Sequence, residues 1–402
     1  MKKIGFSFLF SLLILVFNFS RTKAEDLFII PNCNNSECLT SAINDIVVAN
    51  NKSFFLVSYN SSFIRRIDID SNLTVENSII PLNNFSSSLL PFNISISNDD
   101  NQALIFNKDF IYLLNLSDNS VRELNIEGEV IKNISFLDEE GNKLVATNEN
   151  SSSPKLLLID AQTLAIEKTI PLPDIGDTIT VTPSRDMVLI LFKNVLTQTL
   201  CIYEISSKRL YRFDLPNFFF FAVDEFLNKI GFDQNGNKAI LSSLDGIHVL
   251  HLVDLKKVKF DIKVLSKKAR GKTLSTLNKE GTSIISAGQN NSKNEAIIYK
   301  SIISNHKKPI IIKRVHLKGI TALNDMFLSD ENKTVLLFAQ KETKPTVLVL
   351  NLKDLSIKCE IELNEIFLNS QFVYMPDKNL LLLLVVGGTE IGVVSAFNSC
   401  QE

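Results

Sequence analysis

Eight times along the chain a short polar turn runs directly into an apolar strand, and this recurrence narrows the possible folds more than any other feature. The turns and strands read NNKSFFLVS from residue 50, NDDNQALIF from 98, DEEGNKLVAT from 138 and PSRDMVLILF from 183. They return as DQNGNKAILSS from 233, NKEGTSIISAG from 278, SDENKTVLLFA from 329 and PDKNLLLLLVV from 376. Asn, Asp, Gly and Pro take up the tight conformations that a hairpin needs. Each of the first seven is followed by a second hairpin, as in FIYLLNLSDNSVRELNI from 110 and TVLVLNLKDLSIKCEIEL from 346. Two hairpins make four strands, the size of one propeller blade. The units recur about every 47 residues, within the ~40 to 50 of known blade repeats.

The sequence therefore predicts an all-β protein: a β-propeller of eight blades, or seven if one irregular unit merges, each of four antiparallel strands. Two sandwiches would not explain one unit at near-constant spacing. The last unit offers only Gln371 to Tyr374, Leu380 to Val386 and Glu390 to Phe397. Leu27 to Ile30 is the candidate for its missing strand, so that an N-terminal strand completes the last blade and removes an exposed edge. Irregular stretches fall at Pro216 to Asn228 and Ser301 to Ile312. Within the first, Phe218 to Phe221 are expected to be buried as an inter-blade strand or plug, because four exposed aromatics would form a sticky patch.

Ahead of the repeats, Lys2 and Lys3 precede an apolar run from Ile4 to Phe19 and a small-residue site at Ala24. This pattern predicts a signal peptide over residues 1–24, cleaved after Ala24, and one propeller domain over 25–402. The run is about sixteen residues, short of the roughly 20 that a spanning helix needs. An uncleaved anchor is the alternative. The expected location is secreted or periplasmic, as a monomer with no transmembrane span after cleavage. Of five cysteines, Cys33 and Cys38 are the disulfide candidate, close enough to close a small loop in an oxidising compartment. Cys201 and Cys359 lie in apolar strand patterns and are expected to act as small buried hydrophobes.

Residues that usually carry chemistry are sparse. His248 and His251 sit three apart on a predicted strand, where alternation sends them to opposite faces. No haem-attachment, zinc, nucleophile-elbow or phosphate-loop motif occurs, and no cofactor or catalytic residue is assigned. Asp138 to Asn142 and Asp233 to Asn237 look like calcium loops but lack the later Glu, so they are assigned to turns. Asn-x-Ser/Thr sequons, among them those beginning at Asn93 and Asn133, are read as products of a biased composition.

Charge is unevenly spread. Residues 25–201 hold 11 basic and 23 acidic side chains, net −12, and residues 202–402 hold 27 and 21, net +6. Such a division can steer a charged partner. Lys256 to Lys272 carries eight basic residues against Asp261 alone. Within it Lys267, Lys268, Arg270 and Lys272 are the candidate binding residues, for an anionic envelope polymer or lipid head groups. The plainer assignment is a solvated edge strand whose lysines discourage strand addition. Nucleic acid is not an expected partner for an exported protein.

At KLLLIDAQTLAIEKTIPL, from 155, the strand end Ile159-Asp160 and the turn Ala161-Gln162-Thr163 resemble the blade signature of the YVTN-type propellers, grouped with the lactonase-like ones. Weaker copies stand at Arg66 to Asp70, Leu114 to Ser117 and Leu350 to Lys353, while the naming tetrapeptide is absent. The resemblance implies a propeller and leaves function open between two classes. One is a binding or interaction scaffold for a protein or envelope polymer. The other is a lactonase-like or other hydrolytic enzyme with polar residues converging on the central channel.

Overall fold

The computed structural model describes residues 21–23, 27–30, 43–49, 53–59, 63–69, 75–82, 92–193, 198–215, 230–241, 247–303, 309–330, 333–363, 370–375, 380–385 and 391–394. Their strands form eight sheets, taken in chain order as blades one to eight. Blades one to seven lie between residues 43–81, 93–123, 131–171, 178–215, 230–270, 273–318 and 320–362. Blade eight joins Ser370–Met375, Leu380–Val385 and Ile391–Val394 to the N-terminal Leu27–Ile30. Leu27 lies opposite Val394 and Ile30 opposite Ile391, antiparallel, which is the closure expected from the sequence. The protein is a β-propeller of eight blades.

Middle strands such as Thr334–Lys341 and Lys344–Asn351 are apolar almost throughout because both faces of a blade meet a neighbour. A separate core cluster fills each junction from blade one to blade seven. Leu104, Phe136, Leu144 and Leu157 join blades two and three, and Leu274, Ile298, Leu337 and Leu350 join six and seven. Fully buried Cys201 packs in the junction of blades three and four. Burial pushes its thiol up to about 11, with the Arg212 guanidinium pulling the other way. A thiol at that value has a thiolate fraction on the order of 100-fold below an ordinary one at pH 8. Iodoacetamide should therefore label Cys201 at least about 100-fold more slowly in the native chain than in urea, as read by peptide mass mapping. Equal rates would contradict its burial.

The turns repeat one piece of chemistry. Ser97, Asp138, Thr182, Asp233 and Asn278 each accept, through a side-chain oxygen, the backbone N–H five residues on, at 2.7–3.2 Å. The residue three after each of them is left-handed: Asp100, Gly141, Arg185, Gly236 and Gly281. At Gly281 a side chain would also strike the Asp233 carboxylate of the preceding blade, 2.8 Å from an ideal Cβ. The outer hairpin then ties back to this turn. Leu116, Ala161, Ile205, Leu255, Ile303 and Leu352 donate N–H to the carbonyls of Asn101, Asn142, Asp186, Asn237, Thr282 and Lys333. Adjacent blades are linked at the same end, through Asp99 N–H to the Glu139 carbonyl, Gln234 N–H to the Lys279 carbonyl, and Lys279 N–H to the Asp330 carboxylate. Asp138 and Asp233 are thus turn caps, as assigned from the repeat.

Two features differ from the sequence reading or extend it. Arg21–Lys23, inside the expected signal peptide, forms a fifth strand on blade seven, parallel to Ile357–Glu362. Cys359 is buried as expected but is disulfide-bonded, so it is not a plain hydrophobe, and its partner lies outside the described residues. Its strand pattern concealed this because cross-linking depends on a segment distant in sequence. Phe218 to Phe221 and the Cys33, Cys38 pair also lie outside the described residues.

Candidate binding surface on blades five and six

Lys259–Arg270 is the outermost strand of blade five, twelve residues long and paired with Ile247–Asp254. Its ladder is regular from Lys259 to Val264 and then breaks. Ser266 lies opposite His248, and the next pairing is Arg270 with Ile247. Lys267 and Lys268 are therefore two of the three residues skipped between Ser266 and Arg270. Lys272 is engaged elsewhere: its ammonium donates to the carbonyls of Leu323 and Asn324, both at 2.9 Å, tying blade six to blade seven. The four basic candidates thus divide, with Lys267, Lys268 and Arg270 on the blade-five edge and Lys272 acting as an inter-blade staple.

Nearer the start of the stretch, exposed lysines meet local acids, Lys257 with Asp254 at 3.4 Å and Lys259 with Asp261 at 3.0 Å. Exposed pairs of this kind hold their partners weakly, on the order of 0 to 1 kcal/mol, and leave the cations open to exchange.

The neighbouring outer strand, Ile310–Lys318 of blade six, adds apolar surface. Register slips between Lys300 and Ser301, so that Lys300 pairs with Lys313, Ser301 pairs with Ile311, and Ile312 is skipped. Ile312 is consequently 51% exposed and Ile310 48%. With Ile302, opposite Ile310, and Val264 of blade five, these make four of the seven exposed large hydrophobics among the described residues. Concentration on two adjacent blades of eight sets this edge apart from the rest of the ring. Arg314 ties the strands together, donating to the Leu265 carbonyl at 3.0 Å with its guanidinium 5.2 Å from the Tyr299 ring centre. Burial pushes the Tyr299 hydroxyl up to about 12 although Arg314 opposes the shift. Lys313 and Lys318 are exposed on the same strand. The surface therefore offers aliphatic side chains and cations together, suited to a partner that is anionic and partly apolar.

His248 and His251 occupy one strand of blade five, while His316 lies on the outer strand of blade six with Nδ1 3.4 Å from a Glu295 oxygen. Among the described residues no group of three or more His, Cys, Asp or Glu is placed to hold a metal ion. The acids of the repeated turns instead accept hydrogen bonds from backbone and side-chain donors. Asp160 is the clearest case: the Thr163 N–H, the Thr163 hydroxyl and the Lys143 ammonium hold its carboxyl down to about 2. One cavity of 260 Å³ opens between blades two and three, lined by Asn107, Phe110, Glu123, Glu129 and Val130 among others. Glu129 is bound to Lys155 and Asn148, and the Asn107 side-chain Oδ1 caps its own turn by accepting the N–H of Asp109 and Phe110. The sequon at Asn133 is structural as well, its amide donating to the carbonyls of Gly176 and Asp177.

No family model matches the chain, and no curated protein does. Solved structures do. The Dos1 propeller superposes with a TM-score of 0.59 at 13% identity, covering 94% of this chain and 95% of that one. The dihydro-heme d1 dehydrogenase NirN, in complex with DHE, gives 0.57 at 12% identity over 81% of this chain and 67% of that one. Hydrazine synthase of Kuenenia stuttgartiensis gives 0.50 at 8% identity over 87% and 94%. At these identities the likeness is one of fold, and it places the chain among β-propellers. Among the described residues no helix is long and apolar enough to cross a membrane.

Proposed function

We propose that the protein is an exported propeller scaffold, akin to the YVTN-type propellers, that binds a protein or envelope polymer along the outer edge of blades five and six. The observation that carries this is the joint exposure of Ile302, Ile310 and Ile312 with Lys313 on blade six, next to the cation-bearing outer strand of blade five, which Arg314 reaches at the Leu265 carbonyl. Aliphatic area supplies non-directional attraction, and the cations select an anionic partner and speed its arrival. The acidic arc of blades one to four repels the same partner, which leaves one side of the ring for binding. Export is supported by the Lys2, Lys3 and apolar leader and by the Cys359 disulfide, which persists in an oxidising compartment.

The test is retention of envelope components by the immobilised chain from Glu25, compared with an Ile310→Ser, Ile312→Ser, Lys313→Glu variant of unchanged melting temperature. The scaffold reading expects a defined component retained by the native chain and at least about tenfold less by the variant, a loss of about 1.4 kcal/mol. Equal retention by both chains would refute this surface, and no specific retention by either would refute the scaffold.

A further inference from the structure

The outer strand of a blade is an open sheet edge, and this chain guards most of its edges in recognisable ways. Blades one and three end their outer strands on Pro81 and Pro171, blade two cuts its own to Val121–Glu123, and blades five and six load theirs with cations. Proline and lysine at an edge discourage another strand from pairing. Blade seven is different. Its outer strand, Ile357–Glu362, has no proline and one cation, Lys358, and it already carries an added strand, Arg21–Lys23.

The added strand runs parallel, with Arg21 opposite Glu360, Thr22 opposite Ile361 and Lys23 opposite Glu362. Basic positions therefore face acidic ones at both alternate sites. The two carboxylates are held in place from within the blade, Glu360 by Lys341 at 2.5 Å and Glu362 by Lys344 at 2.8 Å. Cys359 and Ile361, buried on the opposite face, anchor the strand to the core.

From this we propose that the outer edge of Ile357–Glu362 is an acceptor site for an extended peptide segment with Arg or Lys at alternate positions. Arg21–Lys23 closes it in the precursor, and removal of the leader after Ala24 opens it. Main-chain hydrogen bonds supply the attraction, and the Glu360 and Glu362 pair supplies the choice of partner and its register. The partner is an extended basic segment of another protein, a different surface and a different charge from the blade five and six edge. Leader cleavage is its premise, checked by N-terminal sequencing of the exported chain. Retention of Arg21–Lys23 there would overturn the opening step.

Hydrogen exchange on the precursor in mild detergent and on the processed chain from Glu25 tests the site. Amides of Ile357–Glu362 are expected to exchange at least about tenfold faster in the processed chain. A synthetic peptide of residues 18–26 should restore protection, and the same peptide with Arg21→Glu and Lys23→Glu should not. Glu360→Gln with Glu362→Gln, a change that keeps side-chain shape, should weaken the native peptide at least about tenfold while the blade stays folded. Equal exchange in both chains, or protection by both peptides alike, would overturn the proposal.

Discussion

A chain beginning at Pro31, lacking Leu27–Ile30, should melt about 8 °C below a chain beginning at Glu25. The four residue pairs that join this strand to Ile391–Val394 imply roughly four backbone hydrogen bonds. At about 1 kcal/mol each, their loss is roughly 4 kcal/mol, and a chain of this size moves by about 2 °C per kcal/mol. The shortened chain also exposes Ile391–Val394 as an unpaired apolar edge, so it should aggregate at concentrations where the longer chain does not. Calorimetry and light scattering on the two chains give both numbers. Equal melting temperatures would mean that the N-terminal strand is not part of the ring.

The second large effect is expected at Arg65. Its side chain is fully buried on the third strand of blade one, Phe63–Ile69, and it is partnered within the fold. A buried guanidinium survives only when its donors are satisfied, and truncating it strands those partners away from water. Arg65→Ala should therefore cost about 3–5 kcal/mol, and Arg65→Lys should recover little because an ammonium lacks the planar fork. The next residue provides the control. Arg66 points to the other side of the sheet, where it pairs with Asp68, donates to the Leu116 carbonyl at 2.7 Å and lies 4.2 Å from the Phe54 ring centre. It is partly solvated, so Arg66→Ala should cost about 1 kcal/mol. Urea midpoints at unchanged m-value measure both, and an Arg65→Ala cost no larger than that of Arg66→Ala would contradict the buried network.

The repeat was legible because its turns carry their chemistry in residue type. Asp138, Asp233 and Asn278 cap, and Gly141, Gly236 and Gly281 supply the left-handed residue three positions later. Asp100 and Arg185 perform the same backbone task without glycine, and there the neighbouring Asn, Asp and Pro residues marked the turn. Blade closure was legible because the last unit lacked a strand and Leu27–Ile30 was the apolar segment left over. Other features had no signature in residue type. The slips that expose Ile312 and skip Lys267 and Lys268 depend on how two strands register, which neither strand shows alone. Arg65-Arg66 reads as a solvated pair, and only the packing of blade one separates the buried member from the exposed one. The Lys272 charge looked available from its neighbours in sequence, yet the carbonyls it reaches are 51 and 52 residues away. Binding surfaces assembled from separate blades are hidden in the same way.

Closure of the ring is most directly measured by cross-linking across the terminal sheet. Phe28 lies opposite Val393 in the antiparallel register, whereas Ile29 lies opposite Gly392. Opposed residues in such a ladder have Cα atoms about 4.5–5.5 Å apart, within disulfide reach. Phe28→Cys with Val393→Cys should form a disulfide on mild oxidation, located by peptide mass mapping. Phe28→Cys with Gly392→Cys, one residue out of register and on opposite faces, should not. Failure of the first pair, or equal yield from both, would contradict a propeller whose two ends meet in one blade.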